Sequence, residues 1–163
     1  MQLKVPLDHG FLPASYTTQA KVTRKNQPIQ SFPIELIAVP KQAQSLAIFL
    51  IDYDAVPLTG FPFIHWLVAN IPITDKIPVD FSRSFTGPQG QTSWMSRFYH
   101  LDDSYFSNHY AGPNPPGHAH SYSLTVLALK QTVQIQNGFY YNEFRYKLRD
   151  HIIETAMSQL RSN

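Results

Sequence analysis

Cysteine is absent from the 163 residues, which excludes disulfides and thiolate chemistry. Charge is scarce too, at 15% of residues against about 25% in an average domain. With 43% hydrophobic residues, the chain has apolar surface to bury and reads as globular rather than disordered. No basic run exists and the formal net charge is only +2, so the footprint of a nucleic-acid binder is missing. The densest basic cluster, Lys21, Arg24 and Lys25, reads as a solvated turn. The longest apolar stretch, residues 46–51, falls far short of the ~20 residues of a membrane helix. Residues 1–13 lack the basic start and apolar run of a signal peptide, and no amphipathic or basic element offers itself to a bilayer surface. The expectation is a cytoplasmic protein without stable membrane binding. Repeats, low-complexity tracts, a Gly-x-Ser-x-Gly elbow, a Gly-rich phosphate loop and a His-Glu-x-x-His motif are all missing.

Proline, by contrast, is frequent, with 13 copies. Each removes a backbone donor and fixes φ, which excludes long helices over most of the chain. Between the prolines lie short apolar runs. Residues 31–39 alternate in part, and residues 45–52 and 65–71 are apolar on both faces, as central strands covered on two sides are. Residues 121–129 begin with alternation and end fully apolar. These runs predict the core of a sheet sandwich in a single domain spanning 1–163, since domains run to roughly 100–200 residues. Two long irregular stretches, 74–91 and 102–117, carry clustered Gly and Pro, and loops of that length tend to be functional. The C-terminal region departs from the β pattern. Phe144, Leu148, Ile152, Ala156 and Leu160 recur every fourth residue, which predicts one helix or a bent pair over 142–160, capped by Asn142 with Glu143 in its first turn.

Three places carry residues fit for chemistry. Asp52-Tyr53-Asp54-Ala55 closes a buried strand; two acids at spacing two share a side of an extended chain, although Asp also makes turns at strand ends. His65-Trp66 opens the next strand, where a histidine is either a satisfied core residue or an anion contact. The third place is Tyr110-Ala111-Gly112-Pro113-Asn114-Pro115-Pro116-Gly117-His118-Ala119-His120-Ser121-Tyr122, a stiff turn leading into a strand with His118 and His120 on one face. A metal pair with His65 as third ligand is the weaker reading, because a further ligand is missing. No metal and no cofactor are therefore expected.

In this order and at this spacing, Asp52-Tyr53-Asp54-Ala55-Val56-Pro57, His65-Trp66-Leu67-Val68-Ala69-Asn70-Ile71-Pro72, Gly112-Pro113-Asn114-Pro115-Pro116 and His120-Ser121-Tyr122 resemble the phosphatidylethanolamine-binding protein family. The likeness is strongest to its small bacterial Raf-kinase-inhibitor-like branch. It covers residues 31–160. It implies a mostly β fold, a Greek-key antiparallel β-sandwich with a C-terminal helix and a cis-proline-rich pocket at one end. It also implies a pocket for phosphate-like anions, with Asp52 and Asp54 on one wall and His65 on another. The turn made of Gly112, Pro113, Asn114, Pro115 and Pro116 would line the site and supply its backbone donors, and His120 and Tyr122 would close the site with His118 nearby. Tyr53 stands where the family has its first proline of the acid motif, and Ser121 where it usually has arginine, so a cation near the mouth is lost.

The function this implies is a non-enzymatic binding protein without catalytic residues. Its ligand would be a phosphate-like or carboxylate small molecule, or a phosphorylated protein partner, in the manner of a modulator of a kinase or protease. The alternative is a hydrolase in which His65 or His120 acts as general base oriented by Asp52, with Ser121 or Ser123 the nearest hydroxyls in sequence. A homodimer stays open.

Overall fold

Among the described residues, nine strands and three short α-helices follow the proline-punctuated pattern of the chain. The computed structural model describes residues 1–99 and 101–163. The strands are β1 (Gln2–Lys4), β2 (Thr23–Arg24), β3 (Gln27–Pro28), β4 (Ile34–Ile37), β5 (Ser45–Asp52), β6 (Phe63–Ile71), β7 (Lys76–Ile77), β8 (His120–Leu129) and β9 (Ile152–Ser162). The helices are α1 (Val56–Thr59), α2 (Phe81–Ser84) and α3 (Tyr141–Leu148). A four-stranded antiparallel sheet runs in the order β6-β5-β8-β9, and a three-stranded one in the order β1-β4-β7. The fold is mostly β, with packed antiparallel sheets and a helix in the C-terminal region.

The apolar runs of the sequence explain the layers. β5 is buried along nearly all its length and feeds two cores. Leu46, Ile48 and Leu50, with Val126 and Trp66 of the large sheet, pack against Ile34 and Leu36 of the small one. Ala47 joins Leu67, Leu127, Phe144 and Leu148 on the opposite face, beneath α3. At roughly 1.5–3 kcal/mol for each buried large apolar side chain, these two layers dominate the stability of the fold.

The predicted helix over 142–160 is half right. α3 ends at Leu148, a 3-10 turn spans Arg149–His151, and the chain then becomes the edge strand β9. A spacing of four places residues on one face of a helix, but four is also an even number, so it does the same on a strand. Ala156 and Leu160 are buried by strand alternation, opposite Val126 and Tyr122 of β8. The β-branched Ile152, Ile153 and Thr155 favour that outcome.

No cis peptide bond occurs among the described residues, in contrast to the cis-proline-rich pocket that the resemblance implied; the prolines of the 112–116 turn are all trans. The 74–91 stretch is scaffold. Within it Ser82 Oγ donates to Gln89 Oε1 (2.7 Å) and Gln89 Nε2 donates to the Ser82 carbonyl (2.8 Å), and from β6 Trp66 Nε1 donates to Gln89 Oε1 (3.0 Å). The Tyr110 amide donates to Ser82 Oγ (2.9 Å), so this buried network fixes the start of the 110–117 turn. Arg24 of the basic cluster pairs with Asp103.

Candidate functional site

Antiparallel pairing brings the end of β5 beside the starts of β6 and β8, and there a cavity of about 150 Å³ opens. Asp52, His65, His120 and Tyr122 line it, together with Gly112, Asn114, Pro115 and Pro116. Its apolar walls are Leu58, Phe63, Trp94 and Tyr99.

Asp52 does two things at once. Its Oδ1 accepts the Ala55 amide at 3.1 Å, which is the turn that an Asp at a strand end makes. Its Oδ2 lies 2.7 Å from His120 Nδ1. Both side chains are buried, at 5% and 1% exposure, so the carboxylate is matched by a hydrogen bond from each neighbour. The contact also makes Nδ1 the protonated nitrogen of His120. Its Nε2 is then the nitrogen left for a ligand, and it is buried with no hydrogen-bond partner among the described residues.

His65 reaches the same side by a different route. Leu50 pairs with Trp66 but Ile51 pairs with Ile64, so two residues of β6 oppose one step of β5. This bulge lets His65 and Trp66 both point inward, where regular alternation would send them to opposite faces. His65 Nδ1 donates to the Ala111 carbonyl at 2.7 Å. Its ring lies 4.6 Å from that of Phe63 and 5.1 Å, edge-on, from that of Tyr122. Burial among these rings pushes His65 down to about 4, against the milder upward pull of the Ala111 hydrogen bond, so the imidazole is neutral at pH 7. Burial likewise raises the Tyr122 phenol far above its ordinary range, and it stays protonated.

The other residues singled out in the sequence lie around this centre. The chain turns after Asp52, so Asp54 is exposed and its carboxylate accepts the Ser121 amide at 2.8 Å. The alternation expected of the two acids stops where the strand stops. Pro113 is buried and does not line the cavity. His118 is exposed, with its ring 5.0 Å from that of His120. The turn is poorer in backbone donors than the resemblance implied. Three of its five residues are proline, and the Gly112 amide is engaged by the Pro28 carbonyl at 2.7 Å. Glycine is required at 112, since a Cβ there would sit 2.7 Å from Pro28 Cβ and 3.2 Å from the Tyr16 carbonyl oxygen. Among the described residues no group of three His, Asp or Glu side chains is gathered to hold a metal ion.

Sequence reading missed Leu58, Thr59, Phe63, Trp94 and Tyr99. Phe63 lies two residues before His65 on the same strand and was within reach of a periodicity argument. Trp94 and Tyr99 come from irregular segments whose placement no local pattern encodes. Both carry a buried polar atom, Nε1 and the phenol oxygen, without a partner among the described residues.

A family model described as phosphatidylethanolamine-binding protein matches residues 4–161. The Bacillus subtilis protein YxkA is 40% identical over 144 residues, 86% of each chain. A UPF0098 protein of Pyrococcus abyssi is 29% identical over 146 residues, 88% of this chain and 74% of the relative. Among solved structures, a putative phosphatidylethanolamine-binding protein homologue from Chlamydia trachomatis superposes with a TM-score of 0.77 at 23% identity, covering 99% of this chain and 96% of that one. Escherichia coli YbcL superposes with a TM-score of 0.74 at 22% identity, covering 99% and 97%.

Proposed function

This chain belongs to the phosphatidylethanolamine-binding protein family, and on that premise we propose that it is a non-enzymatic binding protein whose cavity takes a small anionic group, a phosphoryl group or a carboxylate. Family membership supports a binding function in general terms. The observation that carries the finer reading is the buried His120 Nε2, held in place through Nδ1 by Asp52 and without a partner of its own. A buried polar atom of this kind is costly unless a ligand or water meets it. As an imidazolium, His120 would donate to an anion while Asp52 balances its charge. At about 150 Å³ the cavity is smaller than the ~300–1,000 Å³ of drug-sized ligand sites. It suits a single functional group, free or on the side chain of a partner such as a kinase or protease. Among its lining residues there is no Lys or Arg, so modest affinity is expected.

The hydrolase alternative retains the Asp52–His120 pair but lacks a partner for it. Ser121 and Ser123 alternate away from His120 and Tyr122 along β8, and Ser123 Oγ accepts from Gln159 Nε2 at 3.2 Å on the far face. Thr59 Oγ1 does line the cavity, but it donates to the Ala55 and Phe61 carbonyls.

The test is a titration with inorganic phosphate followed by histidine-ring NMR, in wild type and His120→Ala. Saturable shifts at His65 and His120, abolished in the variant, are the expected result. Unmoved histidine signals at millimolar phosphate would overturn the reading.

A further inference from the structure

The two histidines of the cavity offer different chemistry. His120 presents an Nε2 that becomes a donor on protonation. His65 does not. Its Nδ1–H is committed to the Ala111 carbonyl at 2.7 Å, so the ring has only Nε2 left for a ligand, and in the neutral imidazole that atom carries a lone pair and no proton. Resting on the anion reading above, the geometry points to a cavity that selects a phosphoryl group still carrying an acid proton, a phosphomonoester monoanion, over fully ionised or fully esterified anions. One phosphoryl oxygen takes the His120 proton donor, and the P–O–H donates to His65 Nε2.

The groups facing His65 keep it in that role. Asp52 comes from β5, His120 and the protonated Tyr122 from β8, and Tyr99 from the segment preceding the turn. His118 lies beyond His120. Asp52 favours a charged His65 while His120 opposes it, and burial outweighs both. An anion without an acid proton, such as sulfate, would set lone pair against lone pair at His65. A phosphodiester has given up its last O–H to the second ester bond and meets the same obstacle. A phosphomonoester keeps one proton below its second ionisation, at about pH 6, and so can satisfy both histidines. The phosphodiester group of a lipid headgroup fails this requirement, whereas the monoester of a phosphorylated metabolite or side chain meets it.

The experiment compares inorganic phosphate, sulfate and dimethyl phosphate on the wild-type protein at about pH 5.5, where the first still carries acid protons and His65 is neutral. All three ions are compared at one pH, so they meet the same protein. Charge alone would rank the sulfate dianion first. The expected order is the reverse, with phosphate tighter than either competitor by more than about fivefold, or about 1 kcal/mol, and a displaced His65 Nε2 resonance with phosphate only. Sulfate or dimethyl phosphate binding within fivefold of phosphate would overturn the proton requirement and leave the anion pocket standing. Silence with all three ions would overturn both.

Discussion

Gly112 shows how tightly the site is packed at the level of single atoms. Its missing side chain lets the 112–116 turn close on Pro28 and Tyr16, and the turn in turn holds the Ala111 carbonyl against His65. Gly112→Ala therefore forces a shift in a filled space. It is expected to cost about 1–3 kcal/mol, read in urea unfolding, and to displace the His65 ring resonances even without ligand. An unchanged unfolding midpoint would refute this close approach. Asp52, His65 and His120 could be found from sequence because a charged or titratable residue at the end of an apolar strand demands a partner. Asp54 and His118 looked equivalent to them by spacing, but spacing holds only while the chain stays extended. It turns after Asp52, and His118 lies in the exposed turn before β8 begins.

Among the elements, β9 is the instructive case. Its apolar spacing suits either secondary structure, and only the sheet decides, because β8 has a free edge ten residues long to be paired. The strand assignment has a clear mutational signature. Leu160→Ala should destabilise by about 2–5 kcal/mol, whereas Met157→Ala, at a position 62% exposed, should stay within about 0.5 kcal/mol. Equal effects at the two positions would contradict the alternation. β5 was legible for the opposite reason, since a short run apolar on both faces fits a covered central strand and little else. The β6 bulge was not legible. It arises from the mismatch between two strands and has no signature within either one.

For the molecule as a whole, His65 ties stability to pH. Its folded-state value of about 4 lies below the ordinary 6.5. Between these two values the unfolded chain takes up a proton that the folded chain refuses, so stability falls as pH falls through that window and the loss is complete below about pH 4. The loss attributable to this residue is about 3 kcal/mol. Urea unfolding at pH values across the window should show it, and His65→Gln should flatten that part of the profile. A variant with the wild-type slope would mean that His65 is not the group responsible. The two-layer sandwich itself followed from apolar runs and proline spacing, while the Ser82–Gln89–Trp66 network that braces it did not. Serine and glutamine carry no pattern that distinguishes a buried bridge from an exposed loop.

The pairing of His120 with Ser162 and of Tyr122 with Leu160 has a consequence for how the protein is made. While the ribosome still holds residues 152–162, β8 can dock on β5 but has nothing along its other side. The nascent chain then displays an open hydrogen-bonding edge beside an apolar surface, the combination that invites strand addition from a neighbouring chain. The greatest hazard of aggregation thus belongs to the interval after β8 has emerged and before β9 has. A chaperone that shields this protein would be needed then, and would become dispensable once β9 is in place.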